Sequence, residues 1–217
     1  MNVLVIAAHP DDEVLGVGGT IARHSAEGDN VVILILSEGC SAQYGDGVMD
    51  VPVMVERKTA AARKAAKILG AEVKIEPFPD MKFHTIPQVD INHGVEIMVN
   101  LHKPDIVYTH SYHDINTDHQ IAHRATLIAC RWLAPIQIYA YEVLSSTERY
   151  GGFAPSHYVD ITDYLAETLG AMECYDMELR ESPHTRNILD VRGLSIWRGM
   201  EAGCKHAEAF EVIKIVR

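Results

Sequence analysis

A histidine and three consecutive carboxylates follow the first apolar segment of the chain. The apolar residues 3–7 lead into His9, Asp11, Asp12 and Glu13. Imidazole and carboxylate groups can hold a divalent metal ion or transfer protons. Carboxylates also cap helices, which explains one aspartate and a first-turn glutamate. Helix capping does not explain His9, so we expect this cluster to carry chemistry.

A second cluster of histidines and carboxylates lies at residues 109–119 and ends in Asp118 and His119. His9 and Asp12 are three residues apart, and a distant His119 can complete a set of two imidazoles and one carboxylate. Three protein ligands with an open position are typical of catalytic zinc sites, whereas structural sites usually have four ligands. Ferrous iron accepts the same ligands, so the residues leave the identity of the metal open.

The spacing of His119 and His123 also matches the zinc-protease motif H-E-x-x-H. Gln120 stands where that motif has its glutamate base, so the protease mechanism lacks its proton acceptor. We therefore interpret His123 as a core histidine or as a residue that hydrogen-bonds to the metal ligands without binding the metal itself.

Along the rest of the chain, apolar runs alternate with amphipathic stretches. The strands and helices that they form must position the two clusters. That pattern predicts an α/β, Rossmann-like fold with a mostly parallel sheet and helices on both faces, in a single domain over residues 1–217. Ligands of such sheets bind beyond the carboxyl ends of strands, where both clusters are expected. The predicted strands are residues 3–7, 31–36, 73–75, 106–109, 136–141 and 212–216. The predicted helices are residues 13–27, 53–69, 89–103, 117–133, 162–178 and 187–206, and the turn-rich segments expected to carry specificity are 39–50, 77–88, 145–156 and 181–186.

Composition excludes several classes of function. The net charge of -11 has no compensating basic block, which argues against nucleic-acid and anionic-membrane partners. Residues 11–13 are acidic where a dinucleotide fold has glycines, which argues against a nucleotide cofactor. Four widely spaced cysteines and the lack of a membrane-spanning apolar run predict a cytoplasmic protein with free thiols.

Residues 8–20, which begin Ala-His-Pro-Asp-Asp-Glu, resemble the defining motif of the LmbE-like, PIG-L-type metal-dependent de-N-acetylases. The segment that ends in Asp118 and His119 is similar to the second motif of that family. The resemblance covers nearly the whole chain. It continues at Arg57 and at residues 78–80, 141–148, 158–161 and 207–210.

The resemblance implies that His9, Asp12 and His119 hold zinc and that Asp11 is the general base. Asp11 would take a proton from water that zinc activates and later deliver one to the departing amine. Many relatives have a histidine three residues before the last ligand, whereas this chain has Asn116. An asparagine amide can donate to an oxyanion but cannot supply a proton.

A second proton donor is therefore expected elsewhere. We favour His184, because its turn resembles a recurrent feature of one branch of the family. His113 and His110 are the other candidates. We expect Asp118 to orient a neighbouring imidazole or Asn116.

Substrate contacts are implied at Arg57 and Asp80, which match family positions that bind sugar hydroxyls or the attached group, and His113 is a further candidate. The resemblance implies an enzyme that removes acetyl from a GlcNAc-like amino sugar on a larger conjugate. The alternatives are an amidase for another acyl-amino conjugate and a catalytically weak metal-holding carbohydrate-binding protein. Asp11 argues against pure binding, which does not need that carboxylate. A homo-oligomer is left open.

Overall fold

Residues 1–40 and 51–216, which the computed structural model describes, form a seven-stranded sheet with helices on both faces. The strands follow the order β3-β2-β1-β4-β5-β7-β6 across the sheet; they are β1 (Asn2–Ala7), β2 (Asn30–Ser37), β3 (Glu72–Phe78), β4 (Ile106–His110), β5 (Ile136–Tyr141), β6 (His157–Asp160) and β7 (Ala207–Val216). Strands β1 to β5 pair in parallel, and β7 is antiparallel to both β5 and β6. The predicted fold class, a mostly parallel Rossmann-like sheet, is confirmed.

Alternating side chains of β1 build two separate cores. Val3 and Val5 pack on one face with the helices of that layer, whereas Leu4 and Ile6 pack on the opposite face. All four are fully buried, as expected for a central parallel strand. The helices are α1 (Asp12–Ala26), α2 (Val51–Leu69), α3 (Gln88–His102), α4 (Thr117–Ala129), α5 (Thr147–Tyr150), α6 (Leu165–Glu173) and α7 (Ile188–Ala202).

The order of the strands explains where the site lies. β1 pairs with β4 in parallel, with Val3 opposite Ile106. From β1 the chain moves to β2 on one side of the sheet, and it later returns to β4 on the other side. The connections therefore diverge beyond the carboxyl ends of β1 and β4, which is the position where open α/β sheets bind ligands. His9 follows β1, and His119 lies in the first turn of α4 after β4.

The C-terminal third differs from the sequence-based prediction. The helix predicted over residues 187–206 ends at Ala202, because Gly203 follows it in the left-handed conformation with φ 80°. β7 consequently begins at Ala207, and β6 was not predicted as a strand. Of the predicted loop 39–50, residues 41–50 lie outside the described part of the chain.

Two further expectations concern the chain as a whole. All four cysteines are free thiols. Within the described residues, the helices are too short or too polar to cross a bilayer.

Candidate active site

His9, Asp12 and His119 bring three potential ligand atoms together. Nδ1 of His9 lies 3.3 Å from Nε2 of His119 and 3.3 Å from Oδ2 of Asp12, and that Nε2 and Oδ2 are 3.2 Å apart. Ligand atoms about 2.0–2.1 Å from a tetrahedral zinc ion lie about 3.3–3.4 Å from one another. Oδ1 of Asp12 is buried without a hydrogen bond to any described residue. These three residues, the ligand triangle, therefore fit a divalent metal ion.

A carboxylate contacts the outer nitrogen of each imidazole in the triangle. Nε2 of His9 lies 3.2 Å from Oδ2 of Asp118, and Nδ1 of His119 lies 3.0 Å from Oδ2 of Asp114. When each carboxylate accepts the N–H proton, the lone pair of the other nitrogen points into the triangle. The sequence predicted that Asp118 would orient an imidazole or Asn116, and it gave no prediction for Asp114. The signal was its position in the same cluster of histidines and carboxylates, after the same strand.

The electrostatics of the triangle favour positive charge. Burial opposes charge on the rings, but Asp118 and Asp12 raise the pKa of His9 to about 10, and Asp12 and Asp114 raise that of His119 to about 9. Burial alone would raise the pKa of Asp12, yet the two imidazoles hold it well below its usual range. A divalent cation satisfies the same carboxylates.

Asp11 stands beside the triangle with a strained backbone. Its φ of 112° is in the left-handed region, which L-residues with side chains rarely adopt. Oε2 of Glu13 accepts the N–H of Asp11 at 3.1 Å, and Oε1 of Glu13 accepts the hydroxyl of Tyr175 at 2.5 Å. Glu13 therefore does more than favour the helix N-terminus, since it fixes the turn that presents Asp11.

The carboxylate of Asp11 is buried and accepts no hydrogen bond from the described part of the chain. Asp11 is 1% exposed, and neither oxygen accepts a hydrogen bond from a described residue. Buried polar atoms almost always have a hydrogen-bond partner, so a buried carboxylate on which neither oxygen accepts a hydrogen bond is exceptional. This carboxylate is free to accept a proton from a molecule that enters the site.

Two cations lie close to Asp11, and sequence reasoning missed both. Nη1 of Arg186 lies 3.4 Å from Oδ2 of Asp11 and 3.0 Å from Oε2 of Glu178. Nζ of Lys58 lies 2.6 Å from Oε1 of Glu178. A cavity of about 80 Å³ reaches these groups, and its lining includes His9, Asp11, Lys58, Asp80, Asn116 and Arg186.

Four of the predicted site residues line this cavity, namely His9, Asp11, Asp80 and Asn116, and Arg57 does not. Oδ1 of Asp80 lies 3.4 Å from Nε2 of His9. Oδ1 of Asn116 accepts the N–H of Asp118 at 2.9 Å, which makes Asn116 the N-cap of α4. Arg57 is half-exposed and faces Asp176, while the adjacent Lys58 is buried at the cavity. Neighbouring helix residues point about 100° apart, so only one of the pair can face the site.

The three histidines considered as proton donors lie outside the cavity lining. Nε2 of His110 accepts a backbone amide at 2.8 Å, and burial holds its pKa well below its usual range. His113 and His184 are exposed, and Nδ1 of His184 accepts the amide of Arg186 at 3.1 Å. The roles of His113 and His184 stay predictions. His123 donates from Nδ1 to a backbone carbonyl at 2.8 Å and is not part of the triangle.

The fold and the ligand triangle define an α/β protein with a candidate mononuclear metal centre at the switch point of its sheet. The family model described as PIG-L, GlcNAc-PI de-N-acetylase, matches residues 4–130, a range that contains all three residues of the ligand triangle. The chain belongs to this family.

Individual relatives extend the comparison beyond the family model. The uncharacterized deacetylase YaiS of Escherichia coli K12 is 29% identical over 79% of this chain and 89% of its own length. The diacetylchitobiose deacetylase of Thermococcus kodakarensis is 23% identical over 98% of this chain and 83% of its own length. Among solved structures, the 4-carboxy-2-hydroxymuconate hydratase GalB of Pseudomonas putida superposes with a TM-score of 0.83 at 23% identity, covering 99% of this chain and 97% of its own. That likeness shows the shared fold.

Proposed function

We propose that this protein is a zinc-dependent de-N-acetylase that removes the acetyl group from a GlcNAc-like amino sugar on a larger conjugate. The observation that carries the proposal is the buried carboxylate of Asp11, which accepts no hydrogen bond from the described residues and lies beside a triangle with the dimensions of a metal site. The family and the diacetylchitobiose deacetylase both support hydrolysis of an N-acetyl group on an amino sugar.

His9, Asp12 and His119 would hold the metal. Zinc in such a site supplies Lewis acidity, which polarises an amide carbonyl and acidifies water; ferrous iron is the alternative that the ligands allow. Asp11 accepts the proton of the attacking water and passes one to the departing amine. Its fixed backbone suits this task, and no hydrogen bond from a described residue has to be broken before a proton arrives.

Asn116 and Asp80 would contact the substrate inside the cavity. Nδ2 of Asn116 has a weak sulfur partner, Sδ of Met81 at 3.5 Å, and can donate to the oxyanion that develops on the amide. Asp80 can accept a sugar hydroxyl at the mouth of the site. Arg57 and His113 lie outside the cavity lining. A role in substrate binding for these two residues would therefore concern the carrier beyond the sugar.

A second candidate function is the addition of water to an unsaturated carboxylic acid. Lys58 and Arg186 line the cavity, and such cations suit a substrate carboxylate. At the position of Asn116, many relatives have a histidine that can donate a proton, and this chain lacks that donor. The structural neighbour GalB, a 4-carboxy-2-hydroxymuconate hydratase, is an example of this function on the same fold.

Acetate release separates these candidates. Zinc-loaded protein is incubated with N-acetylglucosamine, diacetylchitobiose, GlcNAc glycosides, sugar nucleotides and N-acetyl amino acids, and acetate is quantified by NMR. We expect acetate from at least one amino-sugar conjugate and none from the Asp11→Asn protein. Acetate from N-acetyl amino acids alone would instead indicate an amidase of another class. An unsaturated dicarboxylate is incubated with the protein separately, and loss of its ultraviolet absorbance, combined with no acetate from the other compounds, would support the hydratase.

A further inference from the structure

Arg186 contacts the carboxylate of Asp11 and is itself fixed on several sides. Nη1 of Arg186 lies 3.4 Å from Oδ2 of Asp11, and this is the ion pair that Asp11 forms within the described part of the chain. The same Nη1 is 3.0 Å from Oε2 of Glu178. At the backbone, Arg180 N–H donates to the Arg186 carbonyl at 2.8 Å, and Arg186 N–H donates to His184 at 3.1 Å.

Buried charges anchor this arrangement in the body of the protein. Glu178 is 1% exposed, and its second oxygen lies 2.6 Å from Nζ of Lys58. Lys58 comes from α2 and also donates to the carbonyl of Gly39, just beyond β2. An ion pair with this degree of burial is screened little by solvent and holds its geometry. The guanidinium of Arg186 therefore has a defined place next to Asp11.

Two adjacent carboxylates of the site lie within reach of the same metal ion. Asp11 and Asp12 are adjacent, and Oδ2 of Asp12 belongs to the ligand triangle. A divalent cation in the triangle attracts any second carboxylate within reach, because opposite charges interact strongly in a buried site. If Asp11 became a ligand, its oxygens would no longer be free to accept a proton.

We propose that Arg186 is a positioning residue that holds the Asp11 carboxylate beside the metal and prevents it from becoming a ligand. The inference rests on the proposed function only in giving Asp11 the role of base. Glu178 and Lys58 keep the guanidinium in place, and Arg186 keeps Asp11 in place. The loop of residues 180–187 thereby contributes to the site through one inward side chain.

The coordination of cobalt tests this proposal independently of turnover. Wild-type, Arg186→Met and Arg186→Met/Asp11→Ala proteins are loaded with Co²⁺, and their visible absorption is recorded. We expect the bands to weaken in Arg186→Met, because a carboxylate that joins the metal raises its coordination number. The bands should return to wild-type intensity in the double variant, which has no carboxylate to join. Arg180→Met, in the same loop, is the matched control, since its guanidinium donates to the backbone carbonyls of Met177 and Leu179.

Kinetics on the substrate found by acetate release give the second readout. We expect kcat to fall about ten- to a hundredfold in Arg186→Met with little change in KM, because a misplaced base costs rate rather than binding. Arg186→Lys should recover part of the loss, and metal content should stay constant. If Arg186→Met does not fold, Arg186→Gln, which keeps polarity and loses charge, takes its place.

The outcomes separate the two proposals. An unchanged cobalt spectrum and an unchanged kcat in the charge-free variant would overturn the role of Arg186, even if the enzyme is a deacetylase. A spectrum that changes in Arg186→Met and is restored in the double variant would support the role of Arg186, even if no acetate is released.

Discussion

Oδ2 of Asp114 lies 3.0 Å from Nδ1 of His119, and the same oxygen accepts hydrogen bonds from the hydroxyls of Ser146 and Thr147 at 2.9 and 2.7 Å. One carboxylate oxygen therefore joins a metal-ligand candidate to the segment after β5. The bond from Nδ1–H leaves Nε2 of His119 as the ligand atom. Burial would raise the pKa of Asp114, but the hydrogen bond from His119 lowers it below its ordinary value.

Asp114→Asn should weaken metal binding while leaving all three ligands in place. The asparagine amide places an N–H donor next to the N–H of His119 and the hydroxyls of Ser146 and Thr147, which are donors themselves. The ring of His119 therefore loses its fixed orientation. We expect zinc affinity to fall about ten- to a hundredfold, as for other groups that support a ligand. Competition with a chromophoric chelator measures it. Ser146→Ala keeps the carboxylate and is the control, and equal affinities for the Asn variant and wild type would contradict the role of Asp114.

Metal content should depend on the triangle and little on His123. Replacing His9, Asp12 or His119 with Ala removes one of three ligands, so we expect zinc to be lost during dialysis. His123→Ala removes only a hydrogen bond to a backbone carbonyl and should retain most of the metal. Elemental analysis after dialysis decides this, and full zinc occupancy in His119→Ala would end the assignment.

The ligand triangle could be predicted because its signals are local in the sequence. His9 and Asp12 follow an apolar strand directly, and His119 begins a helix that follows another strand. The contacts of Lys58 and Arg186 could not be predicted, because they depend on which face of α2 is inward and on how the 180–187 loop returns to the sheet. Their shared partner, Glu178, is far from Lys58 in sequence.

The fold shows the same division between local and non-local signals. Strands β1, β2, β4 and β5 are rich in apolar residues and were predicted within a few residues. β6 has four residues, and both β6 and the first half of β7 are fixed by pairing with each other. Such pairing leaves little signal in either segment alone, which is why β6 was not predicted and the last predicted helix reached the residue before β7.

Asp11→Asn should abolish most turnover without loss of metal or fold. The amide keeps the size of the side chain but cannot accept a proton, so we expect kcat to fall about a hundredfold or more. Asparagine tolerates the left-handed φ of 112° at this position, so the turn itself should survive. Steady-state rates and zinc content are measured on the same samples. Normal turnover in a zinc-replete variant would place the base elsewhere.

Asn116→His should add a proton donor at the cavity and raise kcat. Asn116 lines the cavity, so an imidazole there can reach the departing amine. The change also removes the N-cap of α4, at a cost of about 1 kcal/mol. Asn116→Ser keeps a capping oxygen without the amide or an imidazole, and it separates capping from chemistry. No gain in kcat for the His variant would show that the reaction does not need this donor.

His184→Gln tests the donor that we favoured from the sequence. If the 180–187 loop brings His184 to the substrate, kcat should fall in His184→Gln with zinc content unchanged. Asn116→His should then partly repair the loss, whereas damage to loop packing would not be repaired from position 116. A wild-type rate in His184→Gln would leave Asp11 as both base and acid.

Glu208, which lies away from the candidate metal site, should make the free energy of unfolding depend on pH. Its two carboxylate oxygens accept the N–H groups of Gly19 and Thr20 in α1, each at 2.8 Å. Burial raises the pKa of Glu208 from 4.5 to about 7, against the effect of these hydrogen bonds. The folded protein therefore holds this proton more tightly than the unfolded chain. The resulting stabilisation is complete below pH 4.5 and is lost as the pH rises through about 7.

Urea unfolding of wild-type and Glu208→Gln proteins at pH 5 and pH 8 measures this contribution. Each unit of pKa difference corresponds to about 1.4 kcal/mol, so the free energy of unfolding of the wild type, relative to Glu208→Gln, should decline by a few kcal/mol between the two pH values. Glu72→Gln, at an exposed position in β3, is the matched control and should show no such decline. A wild-type advantage that stays constant or grows toward pH 8 would show that Glu208 is ionised in the folded protein at pH 5, with the α1 amides outweighing its burial.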